Sequence, residues 1–278
     1  MALDLSKVGH TTAPVRFDYD HAATILYGLG IGARAPELDF LYEGRGPKVY
    51  PTFSVIPAYR GLESSMADAG ISFDNVVHGH QKIKLHRALP PRATLLTTAT
   101  LAGIYDLKKM AQVVVTTHTT DAAGTALFDT EWGIIVFGEG GFGGEAAPSR
   151  LSSPPDRAPD FRVEQSTSPE QALLYRLNGD HNPLHADPEF HLVKERFGRP
   201  ILHGLCSYGF VARALAEALA GGDATRITEF SARFSKPVWP GDTLITEGWV
   251  DGARVWSRTS TRERGEVVLS HCTATLAG

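Results

Sequence analysis

Tyr175-Arg176-Leu177-Asn178-Gly179-Asp180-His181-Asn182-Pro183-Leu184-His185-Ala186-Asp187-Pro188 is the stretch around which the rest of the chain is organised. Gly179 permits backbone conformations that cost other residues free energy, while Pro183 and Pro188 fix φ and remove backbone donors. A carboxylate, an amide and an imidazole (Asp180, Asn182 and His185) fall within six residues between those constraints. A segment so restricted aims its side chains. Asp180 and His185 are therefore general acid–base candidates, because a carboxylate and an imidazole can share one water, one removing its proton while the other orients it. Asn182 adds a donor and an acceptor to fix the geometry. Singly, an Asp that caps a turn or a His that makes a structural hydrogen bond would be the plainer account. The triplet between Gly179 and Pro183 favours chemistry.

On the N-terminal side, Ser168 as N-cap, Pro169 at the first helical position and Gln171 closing a capping box predict a helix through Tyr175. On the C-terminal side, Asp187-Pro188 opens a second helix to about Phe197. Arg199-Pro200-Ile201-Leu202-His203-Gly204 then leads into a helix over 205–220 in which only Arg213 and Glu217 are charged. A helix apolar on nearly every face is a buried one. Gly204 stands at its N-terminus, where a backbone N–H helped by the helix dipole can bind an oxygen that gains negative charge. It could equally serve only to turn the chain into the helix, and spacing does not separate the two. Ser207 lacks a G-x-S-x-G elbow and Cys206 has no motif around it, so both read as core or cavity-lining residues. His181, His185, His191 and His203 lie near Asp180 and Asp187, but no HExxH or CxxC spacing is present and no metal is expected.

The 278 residues carry a net charge of −4 and no long basic run, which argues against nucleic-acid or membrane-surface binding. Cys206 and Cys272 form no CxxC. The start, MALDLSKVGH, does not read as a signal peptide, no apolar run is long enough for a membrane span, and Thr275-Leu276-Ala277-Gly278 carries no peroxisomal address. The expected location is cytoplasmic.

Residues 17–30 predict a short helix with an Asp cap and a Gly-rich stop. Residues 39–42 and 49–57 read as brief extended pieces bounded by prolines. Residues 76–86 are strand-like, and 93–136 predict long antiparallel strands broken near Lys108 and at Asp121-Ala122-Ala123-Gly124. Gly138-Glu139-Gly140-Gly141-Phe142-Gly143 formally matches GxGxxG after a strand, yet the Pro/Ser-rich run that follows is no helix, so a dinucleotide site is not expected. That run, to about Pro159, is the best linker in the chain. Strands return after Thr225, bent at Lys236-Pro237-Val238-Trp239-Pro240-Gly241-Asp242.

Tyr27-Gly28-Leu29-Gly30 matches Tyr175-Arg176-Leu177-Asn178-Gly179 at an offset of 148, and Leu89-Pro90-Pro91-Arg92-Ala93-Thr94-Leu95 matches Val238-Trp239-Pro240-Gly241-Asp242-Thr243-Leu244 at 149. Two matches at nearly one offset suggest a duplication, each copy a helix and then an antiparallel sheet. The domains expected are 1–147, a linker 148–160, and 161–278. Only the second copy carries the triplet.

The stretch from Tyr175 to His185 resembles the hydratase 2 motif of the (R)-specific enoyl-CoA hydratases, the MaoC-like dehydratases. Arg199-Pro200-Ile201-Leu202-His203-Gly204-Leu205-Cys206 is similar to the segment that follows it in that family. Tyr27-Gly28-Leu29-Gly30-Ile31-Gly32-Ala33, Val77-His78-Gly79-His80-Gln81 and Gly140-Gly141-Phe142-Gly143-Gly144 resemble the long, duplicated members. The resemblance implies an α+β double hot-dog fold, two long helices each wrapped by an antiparallel sheet. It implies that Asp180 and His185 activate a water for addition to C3 of a trans-2-enoyl-CoA and protonate C2. It further implies that Asn182 orients them and that Gly204 donates its N–H to the thioester oxygen, giving a (3R)-hydroxyacyl-CoA without metal or cofactor. Substrate contacts are expected from Tyr175, His203, Ser207, Arg199 and Lys236, and the first repeat is expected to be non-catalytic and to accommodate bulky acyl chains. A homodimer is the partner expectation. The family often has Ser or Thr at Asn178, Ala or Ser at His191, and an acidic residue at His80. An acyl-CoA thioesterase and a silent acyl-CoA-binding subunit are the rival functions, since fold alone does not choose.

Overall fold

The computed structural model describes residues 3–148 and 152–277. Met1, Ala2, the Ser149-Arg150-Leu151 part of the expected linker and Gly278 lie outside the described residues. In chain order the first half forms β1 (Val15–Tyr19), α1 (His21–Gly30), α2 (Leu38–Leu41), α3 (Val55–Asp68), β2 (Val76–Leu85), β3 (Ala93–Asp106), β4 (Met110–Asp121) and β5 (Ala126–Phe137). The second half forms β6 (Phe161–Ser166), α4 (Gln171–Tyr175), α5 (Gly204–Leu219), β7 (Ile227–Phe234), β8 (Thr243–Asp251), β9 (Arg254–Thr261) and β10 (Val267–Leu276).

The long strands follow from β-branched and aromatic residues on a period of two. The two breaks expected between them are the observed turns. At the first, Lys108 takes a φ of 70° and its N–H donates to the Asp106 carboxylate at 2.6 Å. At the second, Asp121 accepts from the Ala123 and Thr125 N–H groups at 2.9 Å each, and Gly124 supplies a φ of 85°. Buried threonine hydroxyls satisfy one another across strands, Thr97 with Thr119 at 2.8 Å and Thr117 with Thr130 at 2.7 Å.

Strands of the first half pair in the order β1-β3-β4-β5-β2, and those of the second in the order β6-β8-β9-β10-β7. Each order maps onto the other, strand for strand. The central helices obey the same offset: α3 starts at Val55 and α5 at Gly204, 149 positions apart.

Two expectations from the sequence need correction. Residues 39–42 and 49–57 are not extended. The first belongs to α2, whose Phe40 is buried and stacks on Tyr50 with ring centroids 4.1 Å apart. The second is a 3₁₀ turn, Pro51–Ser54, running into α3. Val55, Ala58, Leu62 and Met66 are its buried face, a helical period that the flanking prolines obscured. Pro57 is tolerated because it sits in the first turn, where backbone N–H groups have no intrahelical acceptor.

The molecule divides into two compact units that do not follow the sequence halves. The first comprises the described residues up to Asp18, Ser54–Arg87 and those from Ala93 to 148; α3 packs there on β3 and β4. The second comprises Tyr19–Phe53, Ala88–Arg92 and the described residues from Ser152 onward. Within the second unit α1 lies against α4, and the segment after α1 is locked to α5. A Cβ on Gly209 would meet Ile31 at 2.3 Å, so α5 needs glycine where Ile31 presses on it. Arg213 of α5, nearly buried, pairs with both Glu37 carboxylate oxygens and donates to the Ile31 carbonyl at 3.2 Å; Tyr50 donates to Glu37 at 2.8 Å.

The glycine-rich segment 138–144 is also structural. The Asp106 carboxylate accepts N–H bonds from Gly141 at 2.9 Å and Gly143 at 2.8 Å, so groups that would cradle a phosphate hold the chain's own anion. No helix follows it in the described residues to 148.

Candidate active site

Only half of the expected capping box forms: Ser168 N–H donates to the Gln171 side-chain oxygen at 3.3 Å, while the Ser168 hydroxyl accepts from the Glu170 N–H at 3.1 Å instead of from Gln171, and α4 begins at Gln171 after Glu170. The helix they start, α4, is short. It continues as a 3₁₀ turn, Arg176–Asn178, that ends at Gly179 with φ 118°, a conformation that favours glycine. The chain there leaves the helix and exposes Asp180 to the site.

Asp180 and His185 are then linked by local hydrogen bonds. Asn182 N–H donates to the Asp180 carboxylate at 3.1 Å, and the Asn182 side-chain oxygen accepts the Leu184 N–H at 2.9 Å, capping the 3₁₀ turn Pro183–His185. The amide fixes the backbone between the acid and the imidazole. His185 is 9% exposed, and its Nδ1 lies 2.9 Å from the Ile201 carbonyl oxygen. A carbonyl only accepts, so Nδ1 carries the proton and Nε2 holds the lone pair. Burial lowers the His185 pKa, which the Asp180 carboxylate and the Ile201 bond partly offset. The ring is a neutral base at neutral pH.

His203, 1% exposed, stacks on His185 with centroids 3.8 Å apart and planes 26° apart. Its Nε2 donates to the Asp180 main-chain carbonyl at 3.2 Å. Burial, and then the neighbouring His185, hold its pKa well below the ordinary value. The Tyr175 ring lies 4.9 Å from that of His203, tilted by 50°, and Tyr27 lies 6.1 Å from Tyr175. Among the described residues, Asp180, His185 and His203 are the one set of metal-ligand types whose donor atoms lie within 4.8 Å of one another. The stacking does not suit a shared ion. Imidazole lone pairs lie in the ring plane, so an ion in the plane of one ring stands out of the plane of the other by nearly the stacking distance.

Gly204 is the first residue of the sixteen-residue α5, after an extended His203 whose side chain does not cap it. First-turn N–H groups have no intrahelical acceptor, and the helix dipole adds positive potential there. A Cβ on Gly204 would sit 3.1 Å from the Phe234 ring, a tight contact that the ring would have to relieve by a small shift. Ser207, one turn on, has a buried hydroxyl with no hydrogen-bond partner among the described residues. The Cys206 thiol donates to the Gly30 carbonyl at 3.3 Å, and burial pushes its pKa far up, leaving it no nucleophile.

The structure does not bring Arg199 and Lys236 into this buried cluster. Both are exposed; Arg199 lies over the Trp239 ring at 5.2 Å and Lys236 is 4.0 Å from Glu266. His181 and His191 are exposed as well. Sequence reasoning missed Ile201, whose carbonyl sets the His185 tautomer, because a main-chain acceptor leaves no mark in a sequence. It also missed the packing of Tyr27 beside Tyr175, although the offset of 148 already paired the two positions.

Residues 150–271 match the MaoC like domain and residues 17–138 the MFE-2 hydratase 2 N-terminal domain. The chain is 38% identical over 96% of its length to mouse (Mus musculus) peroxisomal multifunctional enzyme type 2, of which it spans 38%. It is 36% identical to the peroxisomal enoyl-CoA hydratase 2 of Arabidopsis thaliana, covering 95% of this chain and 92% of that one. The crystal structure of a MaoC-like dehydratase from Phytophthora capsici superposes with a TM-score of 0.86 at 31% identity, over 99% of this chain and 98% of that one. With both domain models matched in the order of the repeats, and with one strand order repeated in each half, the chain belongs to the MaoC-like hydratase 2 family in its double hot-dog form.

Proposed function

We propose that this chain catalyses the reversible hydration of trans-2-enoyl-CoA to (3R)-hydroxyacyl-CoA. The observation that carries the proposal is the neutral His185, held by Ile201 with Nε2 bare, beside the Asp180 carboxylate. Nε2 removes a proton from a water shared with Asp180 as the water oxygen bonds to C3. The double-bond electrons move toward the thioester, whose oxygen gains negative charge and takes a hydrogen bond from the Gly204 N–H. Collapse of that enolate with protonation at C2 completes the addition of one water, and the dyad returns to its starting state. Asn182 holds the two groups in register through the backbone bonds described above.

Acid–base groups so placed contribute roughly 10²–10⁴-fold each. Tyr175 and Ser207 border the reacting atoms, while Arg199 and Lys236 reach the CoA portion at the rim. The first repeat, which lacks the triplet, makes room for the acyl chain. The names of the relatives support the same substrate class. A cytoplasmic location, pairing of two copies and use in fatty-acid β-oxidation belong to the same proposal; among the described residues no helix is long and apolar enough to cross a membrane.

The test is incubation with crotonyl-CoA, following enoyl absorbance and free thiol together. Loss of absorbance without thiol release is expected. Thiol release instead would make the chain a thioesterase, and neither change, there or with longer enoyl-CoAs, would make it a binding subunit.

A further inference from the structure

The expected substrate contact at His203 does not fit what surrounds its ring. One face is covered by His185 at 3.8 Å and Tyr175 lies 4.9 Å away, tilted by 50°. Nε2 is committed to the Asp180 carbonyl, and Nδ1 is buried without a hydrogen-bond partner among the described residues. The main chain is anchored too. The His203 carbonyl accepts the Cys206 and Ser207 N–H groups at 3.1 and 3.2 Å, and Leu202 N–H donates to the Val238 carbonyl at 2.7 Å. His203 therefore joins three parts of the site: the start of α5 at Gly204, the acid Asp180 and the base His185.

We infer that His203 is a positioning residue, which holds the Asp180 loop and the His185 ring in register with the N-terminus of α5 through its Nε2–H bond and its stacked face. The inference rests on the hydration proposed above. Histidine suits the task because its ring is flat enough to stack, carries an N–H donor and stays uncharged in this burial. A cation in its place would oppose protonation of His185 during turnover. The charged or titratable groups that bear on His185 are Asp180, which favours its protonated form, and Arg176, which disfavours it; His203 in turn feels His185, Arg176 and His181.

Two variants separate the bond from the stacking. His203→Phe keeps a flat ring and removes the donor. His203→Gln removes the ring but carries an amide N–H near the Nε2 position. Far-UV circular dichroism and thermal melts report folding, crotonyl-CoA hydration gives kcat and KM, and imidazole NMR titration follows the His185 pKa without turnover. With His203→Phe, kcat falls roughly 10- to 100-fold at nearly unchanged KM, the size expected when reacting groups shift by about an ångström. The His185 pKa moves down, because the loosened Asp180 no longer supports its charged form, and the acid limb of kcat/KM moves down with it. His203→Gln recovers part of both changes.

A raised KM at constant kcat would make His203 a substrate contact and overturn the inference. A lowered melting temperature with kcat and the His185 pKa unmoved would make it merely structural, with the same consequence. An inert wild type would sink the hydratase proposal alone, since the NMR titration still decides whether His203 positions His185. Asp180→Asn, run alongside, reports on the hydratase proposal independently.

Discussion

The two repeats share one strand order and differ at the start of the helix each one wraps. In the first, α3 grows out of the 3₁₀ turn Pro51–Ser54, and its cap residue Ser54 is itself helical, so the helix is continued backwards by its own chain. In the second, α5 begins abruptly after an extended His203, and the segment before it carries Asp180 and His185. Helix N-termini offer unpaired N–H groups and positive potential; what precedes them decides whether a ligand can use either. The first repeat extends that end with its own backbone and the second leaves it beside an acid and a base.

Their charges differ in the same sense. On the sheet of the first unit a cavity of about 400 Å³ is lined by Lys82, Lys84, His118, Asp129 and Glu131 among others. Asp129 bridges His86 at 2.8 Å and His118 at 2.6 Å, and Glu131 faces His80 at 3.6 Å. Those carboxylates are already paired. Asp180, by contrast, uses its carboxylate on a single backbone N–H among the hydrogen bonds of the described residues.

The largest effect that would break this contrast is chemical. Asp180→Asn and His185→Gln should each lower kcat/KM by roughly 10²–10⁴-fold with an unchanged circular dichroism spectrum. Activity within threefold of wild type in either would show that the second repeat is no better equipped than the first. In the wild type the acid limb of kcat/KM should fall below pH 6.5, because burial lowers the pKa of the base. A pH–rate profile reads this directly.

Next in size is the clamp that draws first-repeat sequence into the second unit. Arg213→Leu leaves Glu37 without its cation, at a cost of about 2–4 kcal/mol, toward the low end because Glu37 keeps some exposure. Urea titration should show a lower midpoint; an unchanged one would mean that residues 31–50 are held by packing alone.

The first repeat has its own half-buried histidine, and its role should be stability. His78 stacks on Trp132 at 5.3 Å, and burial, followed by His80, holds its pKa at about 3. The unfolded chain binds this proton below about pH 6.5 and the folded chain does not, so stability falls as pH drops from 6.5 toward 3. The ring keeps an accessible edge, which trims the effect to about 2 kcal/mol. Melting temperatures of His78→Gln should fall less steeply from pH 7 to pH 4 than those of the wild type, with kcat little changed at pH 7.

The smallest effect compares one glycine in each central helix. Gly209→Ala drives a methyl into Ile31 and should cost about 1–2 kcal/mol. A Cβ on Gly61 would meet Thr97 at 3.0 Å, and the gain in helix propensity offsets most of that, leaving a change under about 1 kcal/mol. Thermal melts of the two variants should differ accordingly.

Much of this was legible in the sequence. Alternation marked β3, β4 and β5 with both turns, the all-apolar run marked α5, and Gly179 with Pro183 marked the loop that carries Asp180, Asn182 and His185. What escaped had physical reasons. Pro51 and Pro57 read as breakers, although a proline in a first turn costs little, and so α3 was hidden. Residues 19–53 pack with the second unit through Gly209, Phe210 and Arg213 of α5, contacts more than 170 positions away that no local pattern announces. The part of His203 also depends on stacking and on a main-chain acceptor, neither of which a sequence records.

The measurement that tests the central claim most directly is the stereochemical course of crotonyl-CoA hydration, with the product coupled separately to (3R)- and (3S)-specific 3-hydroxyacyl-CoA dehydrogenases. Turnover with the (3R)-specific enzyme alone is the predicted result. A (3S) product would contradict the assignment of the chemistry to Asp180 and His185 as this site presents them.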